Sequence, residues 1–274
     1  MLSYIQYNPS PGLTSYIECY WILHAPFMSL SSLERLVPGG RAELILNLGD
    51  PIQLSGEHDL SGGTTIRQAH VFGQRSHIYY AKKNGETHLV GVRFKPGGIG
   101  AFTKLPASLF LNQLIAAEDV LGTAVKNWED RLWKIKNDSE RINLLDRLIM
   151  KAVKGTTAGW ESCKKVADTI RKSSPVFVNV LCDENESYYK KLERNFLQHV
   201  GYTPKNYYRI IRFNRALRQM HTGKKTLTAI SYDCDYYDQS HFIKDFRQFT
   251  GTTPTRFKTE NHTIAGFLIN QQPV

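Results

Sequence analysis

The spacing of apolar residues changes character at Pro106. Before it, short runs of β-branched, aromatic and aliphatic residues (Tyr20 to Leu23, Ala42 to Leu48, His88 to Phe94) alternate with turn clusters. The clusters are Pro9 to Gly12, Pro38-Gly39-Gly40, Gly49-Asp50-Pro51, Ser61-Gly62-Gly63, Asn84-Gly85 and Pro96-Gly97-Gly98. Short strands at this spacing predict a barrel or a sandwich. Asn84-Gly85 predicts a two-residue hairpin turn, since both residues tolerate positive φ. After Pro106 the period is helical: Leu121, Val125, Trp128, Leu132 and Ile135 recur every three or four residues, as do Ile142, Leu145, Leu148 and Ile149. Lys154 to Gly159 is the best linker candidate, and from Glu161 to Phe257 the pattern holds no strand beyond an ambiguous run at Val176 to Val180.

Within the helical part the chain repeats itself at an interval of 50 residues. FLQHVGYTP at 196–204 returns as FRQFTGTTP at 246–254, so Phe196, Gln198, Gly201, Thr203 and Pro204 recur as Phe246, Gln248, Gly251, Thr253 and Pro254. Leu192 and Tyr207 extend the match to Phe242 and Phe257. In each copy Gly stops a helix, and Thr caps the next with Pro at its first position. One supersecondary unit used twice suits a reader of two equivalent features one repeat apart, and duplex DNA is such an object.

Charge supports that reading. Residues 188–258 hold 14 Lys+Arg against 5 Asp+Glu, most of the formal excess of +10 carried by all 274 residues. A basic excess concentrated in the repeat is the footprint of a phosphate-binding surface, whereas a merely soluble surface would spread it. Cys19, Cys163, Cys182 and Cys234 are far apart, without zinc spacing, and read as small buried residues of a reduced compartment. The amino terminus shows no signal-peptide pattern, and no apolar run approaches the roughly 18–20 residues that span a bilayer. A cytoplasmic chain with no membrane partner is expected.

Each copy reads as a helix-turn-helix unit, whose second helix offers its early exposed residues to the major groove. In the second copy Cys234-Asp235-Tyr236 makes the turn, Asp238 caps the next helix, and Phe242, Phe246 and Phe249 face inward. Gln239, Ser240, His241 and Lys244 are left outward. In the first copy Val178 and Leu181 anchor the first helix, Leu192 and Phe196 the second, leaving Tyr189, Lys190, Glu193 and Arg194 outward. Between them, residues 204–221 predict one spacer helix with Ile210, Phe213, Leu217 and Met220 buried and Arg209, Arg212, Arg215 and Arg218 largely exposed, as candidate phosphate contacts. His241 serves equally as a base contact or as packing at the helix start, and the tyrosines nearby read as packing rather than base stacking.

Here the residues resemble a known family. ISYDCDYYDQSHFIKDFRQFTGTTPTRF, at 230–257, is similar to the signature of AraC/XylS-type transcription regulators, and GYTP and RFNRAL within 201–217 resemble its central helix. The resemblance implies a seven-helix DNA-binding domain beginning near Glu161, with Lys190, Glu193, Arg194, Gln239, Ser240, His241 and Lys244 facing bases. Asp235 stands where the family usually has Gly, but Asp tolerates the left-handed conformation better than most residues. The first unit lacks both the turn Gly and the usual Ser before its recognition helix.

IECYW (17–21), LVPGGRAELILNLGD (36–50), FGQ (72–74) and GVRFKPGGIGAF (91–102) resemble the companion domain of one subset of that family. By analogy it implies a jelly-roll-like sensor or dimerisation module. Trp21, Arg41, Glu43 and Arg93 either line a ligand cavity there or form a buried salt bridge under an aromatic ring. His24, His58, His70, His77 and His88 include no pair at metal-ligand spacing, so neither a metal nor a cofactor is expected.

The expected fold is α+β in two domains. Residues 1–155 form a β-rich, barrel or jelly-roll-like sensor or dimerisation domain with C-terminal helices. Residues 156–260 form an all-α double helix-turn-helix domain, and 261–274 a tail. The expected function is a sequence-specific DNA-binding transcription regulator, not an enzyme. Its partners would be double-stranded DNA, a small-molecule effector, RNA polymerase and a second copy of the chain. A cupin-like enzyme with an accessory helical domain and a non-specific architectural DNA binder are the alternatives.

Overall fold

The computed structural model describes residues 3–25, 33–83, 85–172 and 186–259. Ten strands form two sheets. The strands are β1 (Ser3–Tyr7), β2 (Ile17–Ala25), β3 (Glu34–Leu36), β4 (Glu43–Asn47), β5 (Ile52–Ser55), β6 (Thr64–Ile66), β7 (His70–Phe72), β8 (Tyr79–Lys83), β9 (Thr87–Phe94) and β10 (Leu114–Ala116). The larger sheet runs β1-β2-β9-β4-β7-β10 and the smaller β3-β8-β5-β6, with antiparallel pairings throughout.

The strand alternation explains why β2, β4 and β9 read as nearly unbroken apolar runs. One set of side chains, Cys19, Trp21 and Leu23 with Ile45 and Leu89, joins Ile52, Leu54, Ile66 and Ala81 of the smaller sheet in a core between the sheets. The alternate set, Tyr20, Ile22, Leu44, Leu46, Val90, Val92 and Phe94, packs on the other face against helices. Both faces of the large sheet are therefore covered.

The barrel alternative does not hold. The region is two sheets with a core between them, and no closed barrel forms; β6 and β10 end their sheets as edges. The hairpin expected at Asn84-Gly85 is also corrected, because β8 and β9 lie in different sheets. Asn84 is outside the described residues; beyond it the Glu86 amide donates to Asp50 Oδ2 at 2.6 Å, tying this turn to the Gly49-Asp50 turn.

The helical layer comprises α1 (Ala117–Leu121), α2 (Trp128–Trp133) and α3 (Asp138–Ala152). Asn137 caps α3 by accepting from the Glu140 amide at 3.1 Å, and Ile142, Leu145, Leu148 and Ile149 are buried as the period predicts. Tyr20 reaches through from β2 to donate to Asp146 Oδ1 at 2.9 Å. An exposed stretch, Lys154 to Ala158, leads to α4 (Trp160–Lys172), followed by α5 (Glu186–Val200), α6 (Pro204–Thr222), α7 (Leu227–Asp233), α8 (Gln239–Thr250) and α9 (Pro254–Thr259). Six helices of the expected seven thus lie among the described residues. The first helix expected for the first unit, with Val178, Leu181 and Cys182, lies outside the described residues, as does the tail. Cys19, Cys163 and Cys234 are free and buried.

Among the described residues, four hydrogen bonds join the β region to α4, α5, α6 and the turn between α5 and α6. Trp160 Nε1 donates to Gly97 O (2.9 Å), Gln74 Nε2 to Val200 O (2.7 Å), the Tyr202 hydroxyl to Arg75 O (2.7 Å) and Asn214 Nδ2 to Pro38 O (3.0 Å).

Candidate functional site

The repeat is a repeat in structure. Gly201 and Gly251 stop α5 and α8 in the left-handed region, with φ of 82° and 69°, where a side chain would strain against the backbone. Thr203 caps α6 by accepting from the Asn206 amide at 3.1 Å, and Thr253 accepts from the Arg256 amide at 3.3 Å. The matched pairs Leu192/Phe242, Phe196/Phe246 and Tyr207/Phe257 are all buried.

In the second unit Asp235 occupies the turn at φ 64°, filling the place of the family's glycine. Asp238 caps α8, accepting from the His241 amide at 2.7 Å. Phe242, Phe246 and Phe249 point into the helical core. At the exposed start of α8, Ser240 and Lys244 are open to solvent and Gln239 and His241 are half-buried. Gln239 Oε1 accepts from Thr228 on α7 at 2.9 Å, which orients its amide. His241 packs edge-on against Tyr236 and faces Arg212 Nη2 at 3.2 Å; guanidinium only donates, so Nε2 accepts.

The first unit presents Lys190 and Arg194 exposed on α5, with Glu193 half-buried between them. The spacer α6 is 19 residues long, roughly 28 Å against the roughly 34 Å between successive major-groove faces.

Of the four spacer arginines, Arg218 is exposed and Arg209 and Arg215 are half-buried. The expected exposure of Arg212 is corrected: only 6% of it is accessible. Its guanidinium donates to Asp245 Oδ2 at 2.7 Å and to Asp235 O at 3.2 Å, and lies 3.9 Å from the Tyr236 ring centroid. Arg209 donates to the other Asp245 oxygen at 2.6 Å. Two cations of the spacer thus clamp one buried carboxylate on α8 and fix the angle at which α8 leaves the turn. The sequence reading missed Asp245. Its signal was a carboxylate set among inward-facing phenylalanines, a place that requires a buried partner.

The second feature is a cavity of about 80 Å³ between the two sheets, among whose lining residues are Trp21, Leu36, Glu43, Ile52, His70, Phe72, Arg75 and Lys83. Trp21 lies across its β-partner Gly91, where a Cβ would meet the indole at 1.9 Å, so only glycine admits the ring. Of the four candidate ligand residues, Trp21 and Glu43 line the cavity. Arg93 instead forms the buried salt bridge, donating to Glu43 Oε1 at 2.8 Å and to the Tyr4 hydroxyl at 3.2 Å. Burial opposes ionisation of Glu43, but Arg93 and Arg75 outweigh it and hold its pKa below the ordinary range. Arg41 pairs with Glu18; burial works upward on Glu18 too, but Arg41 and Arg171 pull its pKa down to about 2. Tyr4, Asn47, His70, Arg75 and Lys83, none of them among the ligand candidates of the sequence, complete the polar lining. No group of three His, Cys, Asp or Glu side chains is placed to hold a metal among the described residues, and no described helix is long and apolar enough to cross a membrane.

Residues 5–116 match a family described as a domain of unknown function (DUF6597), and residues 181–260 match one described as a helix-turn-helix domain. The HTH-type transcriptional regulator ArgR of Pseudomonas aeruginosa is 29% identical over 85 residues, 31% of this chain and 26% of its own. The HTH-type transcriptional activator RhaR of Escherichia coli is 28% identical over 88 residues, 32% of this chain and 31% of its own. The chain thus spans less than a third of the length of the curated relatives it matches. Among solved structures, ToxT of Vibrio cholerae aligns with 86% of this chain and 97% of its own at 12% identity, with a TM-score of 0.46.

Proposed function

We propose that this chain, which carries an AraC/XylS-type helix-turn-helix domain at its carboxyl end, is a sequence-specific DNA-binding transcription regulator controlled by its β-rich half. The observation that supports this most is the structural duplication: two helices with the same glycine stop, α5 and α8, lie on either side of one spacer helix, in the part of the chain that holds the basic excess. Gln239, Ser240, His241 and Lys244 would read bases in one major-groove segment, and Lys190, Glu193 and Arg194 in the next, with Arg218 against phosphates. Arg212 is not in this set, because it is spent on Asp245. The relatives are regulators by name, and no activity as an enzyme is proposed.

Control would enter through the cavity between the sheets, as the site of a small-molecule effector. Leu36 and Arg75 line it, while the neighbouring Val37, Pro38 and Gln74, with the Arg75 carbonyl, meet the helical half. An effector shifts DNA binding only by favouring one arrangement of the two halves over another. RNA polymerase and a second copy of the chain are further partners of the reading, with the bacterial cytoplasm as its place of action.

Selection of bound sites from a random duplex pool, followed by footprinting, tests the core of it. The expected site has two recognition segments about 10 bp apart per protomer. Binding of random duplex as tightly as any selected site would replace this reading with that of an architectural binder.

A further inference from the structure

At the head of α8 the side-chain acceptors are engaged within the protein, and what remains toward the groove is mostly donors. Asp238 caps the helix, accepting from the His241 amide at 2.7 Å. Asp245 is 2% exposed and holds both Arg209 and Arg212. His241 Nε2 accepts from Arg212 at 3.2 Å, so its ring carries the proton on Nδ1. Gln239 Oε1 accepts from the Thr228 hydroxyl at 2.9 Å. Left for a base edge are the Gln239 NH2, the His241 Nδ1–H and the Lys244 ammonium, all donors. Only the hydroxyls of Tyr237 and Ser240 can serve either way.

The Thr228 contact matters most, because the two ends of a glutamine amide pair with different base edges. Gln239 is the first residue of α8 and Thr228 the second of α7, so their bond crosses the turn of the second unit. Reading adenine takes both ends of the amide, the oxygen on the N6 amino group and the NH2 on N7. With its oxygen turned to α7, Gln239 has the NH2 end for the groove. Guanine sets two acceptors side by side, N7 and O6, whereas adenine places an amino donor beside N7 and thymine a methyl group beside O4. A donor-rich face therefore fits guanine and leaves the adenine amino group without an acceptor. A donor shut into an interface in that way carries its full desolvation cost.

We propose that Thr228 determines specificity in the second unit: it holds the Gln239 carbonyl so that Gln239 reads guanine rather than adenine. Thr228 is a positioning residue, acting through Gln239 and not on the base. The inference rests on the reading of this chain as a sequence-specific DNA binder, and it names the base taken at one recognition position. The place of Thr228 in α7 does not depend on its hydroxyl. Its side chain is exposed, the cap of α7 is Thr226, which accepts from the Ala229 amide at 3.2 Å, and Ser231 donates to the Thr228 backbone carbonyl at 2.7 Å.

The test is selection of duplex sites from a random pool by the full chain and by its variants Gln239→Ala, Thr228→Val and Thr228→Ser. Gln239→Ala identifies the base position in question as the one whose preference it loses. There the unaltered chain should select guanine over adenine by about fivefold or more. Thr228→Val keeps the shape of the side chain and removes the hydroxyl, which frees the Gln239 carbonyl. Adenine should then rise to parity with guanine or above it, at that position alone, while Thr228→Ser should keep the guanine preference. Adenine in the site of the unaltered chain, no position lost in Gln239→Ala, or a guanine preference that survives Thr228→Val overturns the proposal. A loss on every site with base preference intact would make Thr228 a phosphate contact and overturn it as well. The base chosen by the unaltered chain is read without any Thr228 variant and stands whether or not one folds. A pool that yields no preferred sequence overturns the regulator reading and this inference with it, whereas a preferred sequence with the wrong base here overturns this inference alone.

Discussion

At the scale of single residues, the side chains that carry most consequence are buried polar ones whose environment no neighbour in sequence announces. His70 is one. It is 6% exposed, and burial, partly offset by the Gln68 carbonyl, pushes its pKa down to about 4. The unfolded chain keeps an ordinary histidine value of about 6.5. Between the two values the unfolded chain binds more protons than the folded one, so stability is full above about 6.5 and falls as pH drops through about 4. We expect denaturant titrations from pH 7 to pH 4 to show a loss of up to about 3 kcal/mol that His70→Gln does not show. Parallel losses in the two proteins would assign the effect to other groups. Glu18, held down to about 2, gives way in a separate window below its ordinary range.

At the scale of elements, the helix boundaries were legible and the clamp between helices was not. Gly201, Thr203, Pro204, Asp238, Gly251 and Thr253 act within a turn of their own position, so the sequence locates α5, α6, α8 and α9 from local chemistry alone. The Arg212–Asp245 pair joins residues 33 apart, and only the packing of α6 against α8 reveals that Arg212 faces inward. This separates two kinds of variant. Arg212→Ala strips one cation from a buried carboxylate that Arg209 still holds, and should cost about 3 kcal/mol in urea denaturation. It should weaken every DNA sequence alike and leave the salt dependence of binding unchanged. A flattened salt dependence at unchanged stability would instead make Arg212 a phosphate contact. Gln239→Ala and Lys244→Ala should leave stability nearly unchanged and relax base preference in one segment by roughly 1–3 kcal/mol, if the pairing is bidentate. A uniform loss on all sequences would take either residue out of the reading set.

At the scale of the whole molecule, the two halves share a junction built mainly on backbone carbonyls, with the Arg171–Glu18 ion pair at 3.9 Å beside them. Tyr202, at the punctuation between α5 and α6, donates to the carbonyl of a cavity residue; the equivalent position in the second copy is Thr252. The copies are alike as folding units and different as partners, and the first faces the β region. Tyr202→Phe removes this hydrogen bond and little else, at a cost of about 1 kcal/mol. It should reduce the change in operator affinity produced by a small-molecule effector of the β-rich half, measured by fluorescence anisotropy with and without that effector. An undiminished response would show that coupling runs through other contacts, such as Asn214 on Pro38.

The sequence by itself determined the class of each half, the repeated stop and start around Gly201 and Gly251, the second helix-turn-helix unit with its caps, and the turn role of Asp235, because these depend on period and on residues within a few positions of one another. Tertiary structure decided the rest. That the β region is two stacked sheets rather than a closed barrel depends on which strand pairs with which. That Asn84-Gly85 joins strands of different sheets depends on the same pairing. That Arg93 is a structural ion pair while Arg75 and Lys83 line the cavity depends on which face of each strand or loop meets the space between the sheets. A shift of one residue in register would exchange those faces, and register is fixed by contacts between segments far apart in the chain.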